Sequence, residues 1–102
     1  MLLEILIPTY NREEHLKKNL LYLISDIREL NKTQVVSIII SDNASNDNTQ
    51  LVVNTIIANN RDVKINYYRN ETNIGLGDNI FKVISYASAN YIMFLGDDDF
   101  IP

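Results

Sequence analysis

The stretch 35-VVSIIISDN-43 decides how this chain folds. Five of its first six residues are β-branched and apolar, and the run breaks off abruptly at Ser41, Asp42 and Asn43. So continuous a run suits a strand buried on both faces, the kind found in parallel sheets, better than one with a wet face. The same signature lies upstream in Leu2 to Pro8 (LLEILIP), which runs into Thr9, Tyr10 and Asn11. Between the two strands, Asn11 followed by Arg12, Glu13 and Glu14 reads as a helix N-cap with a glutamate at N3. Leu16, Leu20, Leu23, Ile24, Ile27 and Leu30 then recur at helical spacing.

Downstream the pattern repeats. Asp47 is placed to cap a shorter helix from Asn48 to about Ala58. Asp62 to Tyr68 (DVKINYY) alternates and reads as a third, more exposed strand, with Tyr67 and Tyr68 as ordinary strand residues and Arg69 as a surface arginine. A loop from Arg69 to Asp78 holds Gly75 and Gly77, a helix follows from about Asp78 to Ser88, and Tyr91 to Leu95 (YIMFL) is the fourth strand, read as buried. The order βαβαβ-loop-αβ predicts an α/β fold: a parallel sheet of about four strands, Rossmann-like, flanked by helices, because parallel neighbours need crossover connections. In such sheets ligands bind beyond the carboxyl ends of the strands. Thr9-Tyr10-Asn11, Asp42-Asn43 and Asp97-Asp98-Asp99 all fall at that edge. Converging carboxylates repel one another unless a cation offsets them, and oxygen-only ligation suits Mg²⁺ or Mn²⁺ shared with substrate phosphates. The pattern points to a metal–diphosphate site.

Composition narrows the function classes. At 102 residues and 46% apolar content there is room for one small domain. A formal net charge of −4, without a run of lysines or arginines, disfavours a nucleic-acid surface. The sequence holds no cysteine, so there is no disulfide framework and no thiolate metal site, which is compatible with a reducing cytoplasm. No segment has the length and apolarity of a signal h-region or a membrane span, and the expectation is a cytoplasmic chain, soluble or peripheral at the inner face of the membrane. The sequons at Asn31, Asn43 and Asn70 read as chance in an asparagine-rich chain.

The ordered segments ILIPTYNRE, VVSIIISDNASNDNT, NIGLGDNI and NYIMFLGDDDFIP resemble the successive signatures of the N-terminal half of family 2 glycosyltransferases, which have the GT-A fold. The resemblance covers essentially the whole chain and implies a single donor-binding domain, residues 1–102, that stops just after an Asp-x-Asp (DXD-type) motif. It further implies metal-dependent transfer of a sugar from a nucleotide sugar to an acceptor hydroxyl, with inversion. The acceptor would be a saccharide or lipid-linked saccharide, in surface polysaccharide biosynthesis. By the resemblance, Pro8, Thr9 and Tyr10 line the pocket for the nucleotide base and Asp42 hydrogen-bonds the base. Asn73, Gly75 and Asn79 match the family's Asn-x-Gly loop at a helix start, where backbone amides approach the donor. Asp97 and Asp98 contact the donor, and Asp99, with Asp98, holds the metal. A carboxylate at Asp42 can accept from the imide N–H of uracil, which cytosine lacks at the equivalent ring position, so UDP or dTDP sugars are the expected donors.

The sequence departs from the family pattern at Gly96, which stands where the first acid of the motif is usual, and at Ala89-Asn90, where a glycine is common. The spacing from Gly75 to Asn79 is shorter than in many relatives. Family members also continue well past the acidic motif into the acceptor site and catalytic base, so this stretch is expected to bind donor without turning over alone. A missing general base by itself removes roughly 10²–10⁴-fold of rate. Two other classes fit less well. A sugar-nucleotide nucleotidylyltransferase should carry a Gly-rich phosphate loop after its first strand, where this chain has Pro8-Thr9-Tyr10-Asn11. A receiver-like signalling module should carry paired acids there.

Overall fold

The computed structural model describes residues 1–96. Its elements run β1 (Leu3–Thr9), α1 (Glu13–Glu29), β2 (Val36–Asp42), α2 (Thr49–Asn59), β3 (Lys64–Arg69), α3 (Leu76–Ser85) and β4 (Tyr91–Phe94). The strands form one sheet in the order β3-β2-β1-β4, and every neighbouring pair is parallel. The chain therefore starts in the middle of the sheet, walks outward through β2 to β3, and returns through α3 to the other side of β1. That reversal puts a topological switch point between β1 and β4, where open α/β sheets form a crevice beyond the strand ends.

Period-two alternation divides the strands between two apolar layers. Ile5, Ile7, Ile38, Ile40 and Ile65 face Leu16, Leu20, Leu23, Ile24 and Ile27 of α1 and Val53 and Ile56 of α2. Leu6 and Ile39 point the other way, under Val83 of α3 with Tyr86 and Ala87 beside it. Burying one such side chain is worth about 1.5–3 kcal/mol. With thirteen buried residues in the first layer against three in the second, most of the described stability lies under α1 and α2.

Three local expectations change. Arg12, not Asn11, is the N-cap residue of α1 and makes no side-chain capping bond, while Asn11 sits at φ 51°. The third helix starts at Leu76 rather than Asp78, immediately after Gly75 at φ 88°, a conformation that glycine adopts without the penalty a Cβ brings. Tyr91, Ile92, Met93 and Phe94 are all exposed, because β4 is an edge strand that pairs with β1 and no described helix covers either of its faces. Apolar content alone does not distinguish an edge strand from a central one.

A charge also hides inside the first apolar run. Glu4 is buried in β1, and its Oε1 accepts the backbone N–H groups of Ser88 (2.6 Å) and Ala89 (2.7 Å). The carboxylate thereby fixes the turn from which β4 departs. Ser37, buried in β2, is its opposite: among the described residues its Oγ is the buried side-chain oxygen without a hydrogen-bond partner. These two sites should respond differently to alanine. Glu4→Ala removes the acceptor of two part-buried donors and is expected to lower unfolding free energy by about 1–3 kcal/mol. Ser37→Ala removes an unsatisfied hydroxyl and should be neutral or mildly stabilising. Urea unfolding followed by circular dichroism measures both, and equal losses would contradict this account of the two groups.

Candidate functional site

The carboxyl ends of β1 and β2 are level, with Pro8 opposite Ser41 and Thr9 opposite Asp42, and β3 places Arg69 opposite Asp42 in turn. At the switch point lies a cleft of about 830 Å³. Pro8, Thr9, Tyr10 and Arg12 form one wall, Asn43, Asn73, Gly75, Leu76, Asn79 and Ile80 the facing side, and Phe94, Leu95 and Gly96 the end beside β4. Of the residues singled out by sequence, Pro8, Thr9, Tyr10, Asn73, Gly75 and Asn79 therefore meet around one cavity. Asp97, Asp98 and Asp99 lie outside the described residues; Gly96, the residue before them in sequence, lines the cleft.

Two polar networks hold the walls. In the first, the loops after β1 and β2 cap each other's helices. The Asn11 side-chain oxygen accepts from the N–H of Asn46 (2.7 Å) and Asp47 (3.4 Å), and the Asn11 N–H donates to Ser45 Oγ (2.9 Å). Asp47 accepts from the N–H and hydroxyl of Thr49 at the start of α2 (3.0 and 2.6 Å) and from the N–H of Glu13 at the start of α1 (3.4 Å). Glu13 returns the contact by accepting the Asn48 N–H (3.3 Å). Asn48, not Asp47, is the N-cap residue of α2, which begins at Thr49, yet the Asp47 carboxylate accepts from the first N–H of both helices. Partial burial works against its charge, yet the bonds from Thr49 and Glu13 outweigh that and hold its carboxyl below the ordinary value.

The second network is built of asparagines. Asn43 accepts the Ile74 N–H (2.9 Å) and donates to Asn73 (2.8 Å), while Asn70 donates to both Asn43 (3.1 Å) and Asn79 (3.0 Å). Asn79, buried at the start of α3, accepts the Ser41 hydroxyl (2.7 Å) and donates to the Ser41 carbonyl (2.9 Å). The Gly75 N–H is taken by Asn73 (2.8 Å). The N–H groups of Ile74 and Gly75, expected to approach a ligand, are therefore engaged within the loop, and the loop is pinned to the end of β2.

Asp42 does not line the cleft. Its side chain is fully buried. Oδ1 accepts the N–H (3.0 Å) and hydroxyl (2.6 Å) of Ser45, and Oδ2 accepts the Tyr67 hydroxyl (2.5 Å). The Arg69 guanidinium lies 4.0 Å from Oδ2 and donates to the Ser45 carbonyl (3.0 Å). Burial first, and then the bond to Asp42, push the Tyr67 hydroxyl well above its usual range, so it stays a donor at any working pH. Sequence reading passed over Tyr67 and Arg69. The signal that finds them is the parallel register, which sets Arg69 opposite Asp42 and Tyr67 opposite Ile40, and that register emerges only with the sheet. Among the described residues no group of three or more His, Cys, Asp or Glu gathers in metal-binding geometry.

Comparison with known proteins adds an independent line. A family model described as glycosyl transferase family 2 matches residues 4–102. The abequosyltransferase RfbV of Salmonella typhimurium is 38% identical over 100 residues, a match that covers 97% of this chain and 28% of that protein. The mannosyltransferase PcManGT of Pyrobaculum calidifontis, solved with GDP-Man and Mn²⁺, superposes with a TM-score of 0.81 at 18% identity, over 94% of this chain and 27% of its own. TarS 1-349 of S. aureus, solved with UDP, gives 0.81 at 23% identity over 96% of this chain and 28% of its own. At such identities the two structures speak for the fold. The chain spans little more than a quarter of the length of each of these relatives.

The depressed Asp47 carboxyl has a pH consequence. A group whose folded pKa is lowered adds stability above its unfolded pKa, and that stability disappears as pH falls through the folded value. Asp47→Asn should therefore lower the melting temperature at pH 7, in line with the ~1 kcal/mol typical of a helix cap. The gap to the parent chain should narrow below about pH 3.9, where the unfolded carboxyl is protonated. Thermal melts across that range check it; a constant gap would mean that the charge of Asp47 is immaterial.

Proposed function

The chain belongs to glycosyl transferase family 2, and from that premise we propose that residues 1–102 form the donor-binding domain of a glycosyltransferase that uses a UDP or dTDP sugar. The observation that carries this reading is the switch-point cleft itself, which gathers Pro8, Thr9 and Tyr10 against the Asn73–Asn79 segment, with Asp42 opposite Thr9 in the sheet. Tyr10, 38% exposed at the rim, is the residue to stack on the base, and Pro8 and Thr9 shape the floor beneath it. Asp42 reads the ring N–H of uracil or thymine. Its side chain is buried and must be uncovered to do so.

Asn73, Gly75 and Asn79 act on the donor by fixing the facing wall. Asp97 and Asp98 contact the donor, and Asp99, with Asp98, would hold Mg²⁺ or Mn²⁺; both known structures described above with a nucleotide share the fold, and one carries Mn²⁺. When bound, the ion supplies charge that offsets the departing diphosphate. In the transfer itself an acceptor hydroxyl attacks the anomeric carbon as the bond to the diphosphate breaks, with inversion, and no residue of this chain is assigned as the base. The acceptor is a saccharide or lipid-linked saccharide of a surface polysaccharide. The protein works at the cytoplasmic face, free or peripheral; no helix among the described residues is long and apolar enough to cross a membrane.

Titration calorimetry tests the assignment. UDP affinity should rise with Mn²⁺ or Mg²⁺ and fall in Asp99→Asn, which removes a formal charge at nearly constant volume. Asp42→Ala should weaken UDP by about ten- to a hundredfold, the equivalent of a charge-assisted hydrogen bond, and CDP far less. Identical UDP isotherms with and without EDTA would count against the metal, and equal losses for UDP and CDP would reduce Asp42 to a turn residue.

A further inference from the structure

We propose that Tyr67 is the positioning residue for base recognition: its hydroxyl fixes the Asp42 carboxylate so that one acceptor direction on Oδ2 is kept for the ring N–H of a uracil-type base. The inference rests on the base-reading role of Asp42 given above and adds to it a residue on a different strand.

A carboxylate offers about four in-plane acceptor directions. Ser45 takes both on Oδ1, through its backbone N–H and its hydroxyl, and Tyr67 takes one on Oδ2. Arg69, at 4.0 Å from Oδ2, is too far to hydrogen-bond the fourth. Its guanidinium bonds the Ser45 carbonyl instead, bracing the turn that supplies the other two donors. Among the described residues one direction on Oδ2 is thus left without a hydrogen bond, in a group that is otherwise fully buried and partnered.

The Ser45 bonds come from the same turn as Asp42, three residues on, and hold Oδ1 alone. Without Tyr67 the carboxylate could rock about that anchor and carry the vacant direction of Oδ2 with it. The tyrosine is well suited to prevent this. It stands on β3, beside β2 in fixed register, and its phenol is partly buried and remains protonated, so it donates to Oδ2 at any working pH. Burial of Asp42 raises the stakes, because a buried acceptor must already be aimed when the base arrives. Tyr68, the next residue, points to the opposite face and stacks on Tyr86 with ring centroids 3.8 Å apart, so it makes a matched control.

The experiment compares UDP and CDP binding by calorimetry for the chain and for Tyr67→Phe, Tyr68→Phe and Asp42→Ala, with circular dichroism to verify folding. Tyr67→Phe deletes one oxygen. It should weaken UDP by about three- to tenfold, the range for a single hydrogen bond, and leave CDP within about twofold, so that the UDP-to-CDP preference falls. Tyr68→Phe should change neither ligand. A parallel loss of UDP and CDP in Tyr67→Phe, an unchanged preference, tighter UDP binding, or loss of the folded spectrum would each make the hydroxyl something other than a positioning group and overturn the proposal. If Asp42→Ala abolishes the preference while Tyr67→Phe preserves it, the base-reading role stands and only this inference fails. If Asp42→Ala leaves the preference intact, the premise fails and the inference goes with it.

Discussion

The parallel pairing of β1 with β2 is the constraint from which the rest of the site follows. Its last rung brings Thr9 beside Asp42, and with that the two loops that leave the strands must run side by side. Each loop begins a helix whose first N–H groups need acceptors. The loops meet the need by exchange: Asp47 serves α1 as well as α2, Glu13 serves α2, and Asn11 crosses over at positive φ to hold Asn46 and Asp47. The rim is therefore a hydrogen-bonded unit before any ligand is considered.

Reversal of strand order at β1 opens the cleft, and the asparagines close its far side. Ser41 and Asn43, at the end of β2, reach Asn79 in α3 and Asn73 on the β3–α3 connection, so that the loop inherits its position from the same strand that carries Asp42. Amides suit this task. Each has a donor and an acceptor on one planar group, and linked amides can satisfy one another in a site where an unpaired polar atom would cost about 1–3 kcal/mol.

What could be read from sequence was what depends on period and punctuation. VVSIII, LLEILIP and YIMFL mark strands by continuous apolarity, and the leucines and isoleucines of α1 mark a helix by their spacing; both signals are local. The partners of Asn11, Asp42 and Glu4 were not legible, because each lies in another element: Asn46 and Asp47 across the rim, Tyr67 on β3, and the turn before β4. A buried glutamate in a run of leucines gives no hint of which N–H groups it meets until the sheet has been assembled. Likewise YIMFL announced a strand without announcing an edge. For the site, sequence pattern and family resemblance together pointed to the residues that meet around the cleft, but not to the tyrosine behind it, since tyrosines in strands are ordinarily packing residues.

The central claim is that a uridine nucleotide binds in the cleft between the ends of β1 and β4. Backbone amide chemical shifts recorded during a UDP titration of the isotopically labelled chain test it most directly. The account predicts that the shifts concentrate at residues 9–12, 42–46 and 73–80, and that the opposite end of the sheet, where Arg61 and Lys64 border a second groove, stays silent. Shifts centred on Arg61, Val63 and Lys64, with the Tyr10 and Asn43 signals unmoved, would contradict it.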